Sequence, residues 1–456
     1  MERRYRLRLG ELLADAEVPP GLLRGVLPRL GAFLQPFAAS LISPEQRTNA
    51  RHYVQGLISG LDSKDTESIA YLHNRDRQGL QKFIGQAEWD PRPLLDELVA
   101  QVSREGGEAD AVLVFDPSAF PKKGHASVGV QRQWCGRLGK IDNCQVGVYL
   151  GYVGPKEQTL VDFRLYLPRA WATDRKRRAK AGVPQEVRFR TRHELALQML
   201  EERGPQLPHT WVAGDDEMGR CSSFRRELRA RGERYLLAVP SNTLVRDLVA
   251  VGPPSARGGR RLAPFVRVDQ WCAALPDSSW EAVEVRDGAK GPLLVQVART
   301  LVQAKTESKV SDVAETLVVV RTPQEDGSWK HDYLLSQVIV GVSSQEFARV
   351  FQAGHQIEQC LKDCKSEAGL GDYQVRTWEG WHHHQALSLV ATWFLKKEAR
   401  RGKNPDAGVD ASATAAADSG CARSAAQGLS GEADEPYREP SFASQREGPL
   451  IPLAAT

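Results

Sequence analysis

Residues Ala111 to Lys123 read AVLVFDPSAFPKK, in which five apolar residues, Ala111 to Phe115, run unbroken into Asp116 and Pro117. A short apolar run rich in Val and closed by Pro reads as a buried central strand, not a helix. A strand that carries a carboxylate to its own end limits the fold more than any other feature of this chain. A charge in that place is costly unless it is capped, paired or bound to a cation. Asp116 is therefore either a turn or capping aspartate or half of a metal site. Trp211 to Gly219, WVAGDDEMG, repeats the pattern, with a short apolar run ending in Asp215 and Asp216. A third acid, Glu358, lies in QIEQCLKDCK, Gln356 to Lys365. There Ile357, Leu361 and Cys364 recur at i, i+4 and i+7 as the buried stripe of a helix, and Glu358 and Lys365 share an adjoining face. Two strand-end aspartates and one helical glutamate can converge on a pair of divalent ions.

These residues resemble the DDE transposases of bacterial insertion sequences, specifically the IS701-like branch of the IS4-like group. The resemblance is carried by Asp116 in FDPSAFPKKG, Asp215 in GDDEMG, Glu358 and Lys365 in IEQCLKDCKSEAGL, and Tyr373 to Trp381, YQVRTWEGW. It covers roughly residues 33 to 395. It implies a DNA transposase acting by two-metal cleavage of phosphodiester bonds at element ends and strand transfer to target DNA, with Mg²⁺ as cofactor and Mn²⁺ as a substitute. Asp116 would bridge two ions, with Asp215 and Glu358 each holding one, and Lys365 would join the catalytic set. The partners implied are terminal inverted repeats, target DNA and a second copy in a synaptic homodimer. Asp216, Glu217 and Glu367 are rival acids. Asp215 is preferred because it stands four residues before Gly219, as in the family's D-x-x-Y-G pattern, with Met218 in place of the tyrosine. In the signature around the glutamate, Phe351 and Gly354 replace the usual Tyr and Arg. The lost bidentate phosphate contact then falls to Lys122, Lys123 or Lys362. The alternatives are a catalytically inactive or domesticated DNA-binding derivative and a general ribonuclease H-like nuclease.

The order of elements supplies the fold class. Strands at Ala111–Phe115, Gln145–Val153 and Leu160–Leu167 precede a helix from Thr191 to Arg203, a strand ending at Asp215, a helix from Ser222 to Gly232 and a strand from Tyr235 to Val239. That is the order of an α/β, ribonuclease H-like mixed sheet with helices on both faces. Residues 1–105 read as a helical N-terminal DNA-binding or scaffold region, from apolar residues recurring at three and four in GLLRGVLPRLGAFLQPFAASL, RTNARHYVQGLISGL and ESIAYLHNRDRQGLQKFIGQA. Residues 106–240 form the first part of the core, 241–341 a β-rich insertion, 342–400 the second part with the glutamate helix, and 401–456 a tail too rich in Ala, Ser and Gly to bury a core. Within the insertion Trp271, Trp280 and Trp329 are packed aromatics or surfaces for an extruded base. Trp329 beside Lys330 is the best placed of them.

A net charge of +4 over 456 residues does not by itself indicate nucleic acid, so local clustering must. From Arg164 to Arg192 there are ten Lys or Arg against two acids, including Arg175, Lys176, Arg177 and Arg178. This run is either a solvated loop or a phosphate track. The seven cysteines are odd in number and scattered, which fits reduced thiols and a cytoplasmic protein at the nucleoid. Cys360 and Cys364 with His382, His383 and His384 downstream could suggest zinc, but core packing is the better reading of that pair. No stretch reaches the length of a membrane span.

Overall fold

The structure is a computed structural model that describes residues 25–250, 262–288, 291–307, 309–338 and 340–401. The tail expected over 401–456 lies, apart from Arg401, outside the described residues. Of the stretch 1–105 read as helical, residues 1–24 lie outside the described residues, and the described part holds five helices: α1 (Val26–Ala38), α2 (Pro44–Leu57), α3 (Thr66–Leu72), α4 (Arg77–Gly85) and α5 (Arg92–Gly106). Ser43 caps α2 in a reciprocal box with Gln46, with Pro44 at the first helical position. The stretch Glu67–Ala87, expected as one helix, is two. Asn74 takes a left-handed φ of 49° after α3, and Asp76 then accepts from Gln78 N–H to start α4. Helix α5 was not singled out in the sequence, although its buried Leu94, Leu95, Leu98, Val99 and Val102 keep helical spacing.

The strands join in one mixed sheet. β1 (Val112–Pro121), β2 (Gln131–Cys135), β3 (Lys140–Val153) and β4 (Gln158–Leu165) are antiparallel neighbours, whereas β5 (Trp211–Gly214) runs parallel to β1 and to β6 (Arg234–Val239). Between β4 and β5 lie the short helices α6 (Arg169–Thr173) and α7 (Arg175–Lys180) and then α8 (Arg192–Arg203), whose capping box pairs Thr191 with Glu194. α9 (Asp216–Arg220) and α10 (Ser222–Ala230) separate β5 from β6. The strands and helices read between residues 106 and 240 occur in that order, with β2 and the short helices α6, α7 and α9 in addition.

β1 does not stop at Asp116. It continues to Pro121, pairing Asp116 with Tyr149 and Pro117 with Val148 of β3. On its other side β5 ends at Gly214, opposite Phe115. A proline without an N–H is tolerated where the neighbouring strand has ended, so Pro117 closes only the parallel ladder.

Among the described residues of 241–341 most lie in strands, and these strands join the sheet that holds β1, β5 and β6. β7 (Leu244–Asp247), β8 (Val266–Arg267), helix α11 (Val268–Ala273), β9 (Glu281–Gly288), β10 (Gly291–Thr306), β11 (Lys309–Val310), β12 (Glu315–Pro323) and β13 (Trp329–Ser336) follow in the chain. β13 pairs antiparallel with β6, so the sheet order runs β2-β3-β1-β5-β6-β13-β12-β10-β7-β8. The far end has its own small core around Val245, Val302, Leu317 and Leu335, with Trp271 and Trp280 packed on it. A buried ion pair ties this end to α10: Arg225 Nε donates to Glu315 Oε1 at 2.8 Å, and the Tyr235 hydroxyl donates to the same oxygen at 2.6 Å. The last two helices, α12 (Ser344–Glu367) and α13 (Trp378–Arg401), pack against the sheet and the N-terminal helices, and a single core links Leu57 and Leu98 to Phe115, Ile357 and Trp393. Among the described residues no helix is long and apolar enough to cross a membrane.

Candidate active site

Asp116 and Asp215 are neighbours by register. The parallel ladder between β1 and β5 ends at the pair Phe115 and Gly214, so each aspartate is the next residue in the chain, Asp116 still within β1 and Asp215 just past the end of β5. The packing that keeps them there depends on two glycines. A Cβ on Gly219 would stand 1.8 Å from Ala238 O of β6, so only glycine lets the turn after β5 lie this close to the sheet. A Cβ on Gly151 of β3 would stand 2.4 Å from Ile357 Cδ1; its absence lets Ile357 seat α12 directly on the sheet. The residue after Ile357 is Glu358. Asp116, Asp215, Glu358 and Lys365 then line one cleft of ≈ 1660 Å³, larger than the roughly 300–1,000 Å³ typical of small-ligand sites.

The electrostatics divide the three acids into a pair and an outlier. Burial, followed by the nearby Glu358, pushes the Asp116 carboxyl up to about 7, and no described residue donates a hydrogen bond to it. Burial and then Asp116 push Asp215 up to about 8, although Asp215 caps α9 by accepting from Met218 N–H at 3.1 Å. Adjacent acids that repel one another, offset near Asp116 only by the Lys365 and Lys362 ammonium groups, are a chemical fit for a bound cation. Glu358 lies the other way: His355 and Lys362 hold it down at about 2. Lys362 Nζ is in contact at 2.9 Å while the His355 imidazole stands at 3.8 Å, so the lysine is the firmer partner. Among the described residues no three His, Cys, Asp or Glu side chains are gathered tightly enough to ligate one ion. The two aspartates offer the oxygen donors that suit a divalent cation, and Glu358 would have to exchange Lys362 to join them.

Two of the rival acids line the same cleft but are paired with arginines, and Glu367 is not among the lining residues. Asp216 pairs with Arg220 at 2.7 Å and Glu217 with Arg192 at 2.6 Å. Lys365 is half-buried beside the pair, with Nζ donating to Ser118 Oγ at 2.7 Å. Lys122 is turned inward, 3.4 Å over the Tyr373 ring and donating to Tyr373 O at 3.1 Å, and burial lowers it to about 8; Lys123 is exposed. The basic run splits. Arg175 and Lys176 are exposed on α7, whereas Arg177 lies 3.8 Å over Trp171 and donates to His125 O, and Arg178 donates to Ala172 O and Pro184 O. Trp329 opens β13 and shares the Arg321 guanidinium with Trp280, at 4.5 and 4.0 Å; Trp271 donates to Asp247 at 2.9 Å. None of these three tryptophans lines the cleft.

Met218 is fully buried, and Gly354 lines the cleft with open space where a Cβ would go. His382, His383 and His384 spend their ring nitrogens on Trp378 O, on Ile84 O and Trp89 O, and on the Tyr53 hydroxyl and Leu370 O, while Cys360 and Cys364 are buried free thiols. They form no zinc site. The reading of the sequence missed Ser118, His355 and Trp134, which line the same cleft, and His331 and Asp332, brought to it by β13. Spacing from Glu358 could have found His355, three residues before it on the same helix. No sequence signal marks the others.

Residues 36–292 match the family described as DDE superfamily endonuclease, a span that contains Asp116 and Asp215 and ends before Glu358. The chain is 30% identical over 204 residues to the probable transposase for insertion sequence element IS701 of Microchaete diplosiphon, a match over 42% of this chain and 49% of that protein. It thus spans about half the length of that relative. A cryo-EM structure of the piggyBac transposase synaptic complex with hairpin DNA aligns over 92% of this chain and 80% of that one at 10% identity, with a TM-score of 0.37, too low to carry an argument.

Proposed function

The chain belongs to the DDE superfamily endonucleases, and from that premise we propose that it is the transposase of an insertion sequence, which cleaves DNA at the element ends and transfers the strand to target DNA. The observation that carries this reading is the pair Asp116 and Asp215, side by side past the end of the β1–β5 ladder and raised to about 7 and 8 in one large cleft. Carboxylates so placed hold a cation at the pH of a cell, where an unbound pair would take up protons. Divalent ions bound there, Mg²⁺ in this reading, supply an activated water and relief of charge on the leaving oxygen. Asp116 and Asp215 would hold them, and Glu358 would complete the set by exchanging Lys362 for the ion. Lys365, fixed by Ser118, offers its ammonium to the scissile phosphate. The order β1, β3, β4, α8, β5, α10, β6 supports a ribonuclease H-like arrangement of this core, with residues 1–105 as the DNA-recognition or scaffold region and 241–341 as the insertion. DNA and a second copy in a synaptic homodimer are the proposed partners.

The test is a denaturing gel of end-labelled DNA carrying the inverted repeats that flank the gene, with binding followed by anisotropy. Asp116→Asn, Asp215→Asn and Glu358→Gln are each expected to abolish cleavage and to leave affinity within about threefold, since ligands to catalytic ions act on chemistry more than on binding. Normal cleavage by Asp215→Asn together with its loss in Asp216→Asn would move the second ligand. Cleavage by all three variants would remove the proposal.

A further inference from the structure

The hairpin formed by β2 and the start of β3 carries an apolar cluster that no described residue covers. Trp134, Leu138 and Ile141 are 58%, 43% and 60% exposed, and Trp134 lies directly opposite Ile141 in the register. Directly opposed residues of an antiparallel ribbon share a face, so the indole and the isoleucine stand together in water. The next residue, Cys135, turns inward to pack with Ala119, Cys144 and Val146, which fixes the hairpin to β1. Large apolar side chains clustered at a surface mark a contact site.

Two observations say what the contact is. Trp134 and Arg137 line the cleft that holds Asp116, Asp215 and Glu358, and Trp134 is the one described tryptophan that does so. The cluster also sits among cations: Arg132, Arg137 and Lys140 are all exposed on the same hairpin. Apolar surface interleaved with basic side chains beside an acid cleft suits a polyanion that carries flat apolar rings. Lys140 already pairs with Asp142 at 3.3 Å, so Arg132 and Arg137 are the cations available to phosphate.

We propose that Trp134, with Arg137 beside it, is a stacking platform for an unpaired base of the DNA strand whose phosphate enters the cleft. This rests on the reading of the cleft as a DNA-cleaving site. An aromatic face accepts any of the four bases, so the platform selects for a strand that is frayed next to the cut and not for its sequence.

Anisotropy with two fluorescein-labelled probes tests it: a blunt duplex, and the same duplex with a short 3′ overhang, both in calcium buffer so that binding is read separately from cleavage. Wild type is expected to prefer the overhang. Trp134→Ala should lose roughly 5- to 150-fold on the overhang probe, the ratio that ~1–3 kcal/mol per stacked base corresponds to, with the blunt duplex unchanged. Trp134→Phe should keep most of the preference. Equal binding of both probes by wild type, or an unaltered preference in Trp134→Ala, overturns the platform while leaving the cleavage reading intact. A wild type that binds neither probe overturns the reading of the cleft and the platform with it. Sedimentation run alongside separates the rival occupant: a dimer that Trp134→Ala converts to monomer, with overhang affinity unchanged, would assign the hairpin to a second copy of this chain.

Discussion

At the scale of single residues, the aspartate pair makes stability depend on pH in an unusual direction. A carboxylate held by a partner stabilises a fold as pH rises, but Asp116 and Asp215 have folded values raised to about 7 and 8. Their contribution is full below the ordinary carboxylate range near 4 and is lost as pH climbs through 7 and 8. Each unit of upward displacement corresponds to about 1.4 kcal/mol, shared between the two because they are coupled. The metal-free protein should therefore melt at a lower temperature at pH 9 than at pH 6, and Asp215→Asn should flatten the difference. Magnesium should raise the melting temperature chiefly at the alkaline end. Melting curves by circular dichroism across that range decide it, and a metal-free protein equally stable at both ends would mean that the carboxylates are not so displaced. The two aspartates were legible in the sequence because an apolar run ending in an acid is a local pattern. Trp134 was not, because its exposure depends on which face of a hairpin looks at the cleft, and its inward neighbour Cys135 reads the same way in a sequence.

At the scale of elements, the strands of 241–341 are held to β6 by its ladder with β13 and to α10 by the buried pair Arg225 and Glu315. Removing one member of such a pair leaves a charge buried without its partner, which costs about 3–5 kcal/mol. Glu315→Ala should show that loss in urea unfolding. Glu315→Gln should recover part of it by keeping an acceptor for the Tyr235 hydroxyl. A loss below about 1 kcal/mol in the alanine variant would mean that water reaches Arg225. Strand and helix identities were largely readable from apolar period and turn residues, as in α8, α10, β5 and β6. The length of β1 was not readable, since a proline ends a strand only where a neighbour demands its N–H, and β5 stops before Pro117 does. The joining of the insertion to the core sheet was hidden for a related reason: the pairing of Tyr333 with Val239 is a contact between distant residues that no local window contains.

At the scale of the whole molecule, DNA affinity in this reading is a sum over phosphate contacts, and the structure sorts the basic run into residues open to make them and residues already used. Alanine at both Arg175 and Lys176 should lower the slope of log K against log salt by about 1.8, two contacts at ~0.9 each, and leave the melting temperature unchanged. Alanine at Arg177 and Arg178 should lower the melting temperature, because those guanidinium groups hold backbone carbonyls and the Trp171 face. An unchanged slope in the first variant would return Arg175 and Lys176 to ordinary solvated charge. The same long-range pairing that hides the insertion also sets a clock. Asp215 precedes Glu358 by 358 − 215 = 143 residues, and β6 meets β13 only across the 333 − 239 = 94 residues that separate Val239 from Tyr333. At ~5–20 residues per second of synthesis, the chain carries two of the three proposed metal-holding acids for about 7 to 30 s before the third is made. A chain released before α12 is made would lack Glu358, so under the proposed reading the site is complete only once that helix has been synthesised.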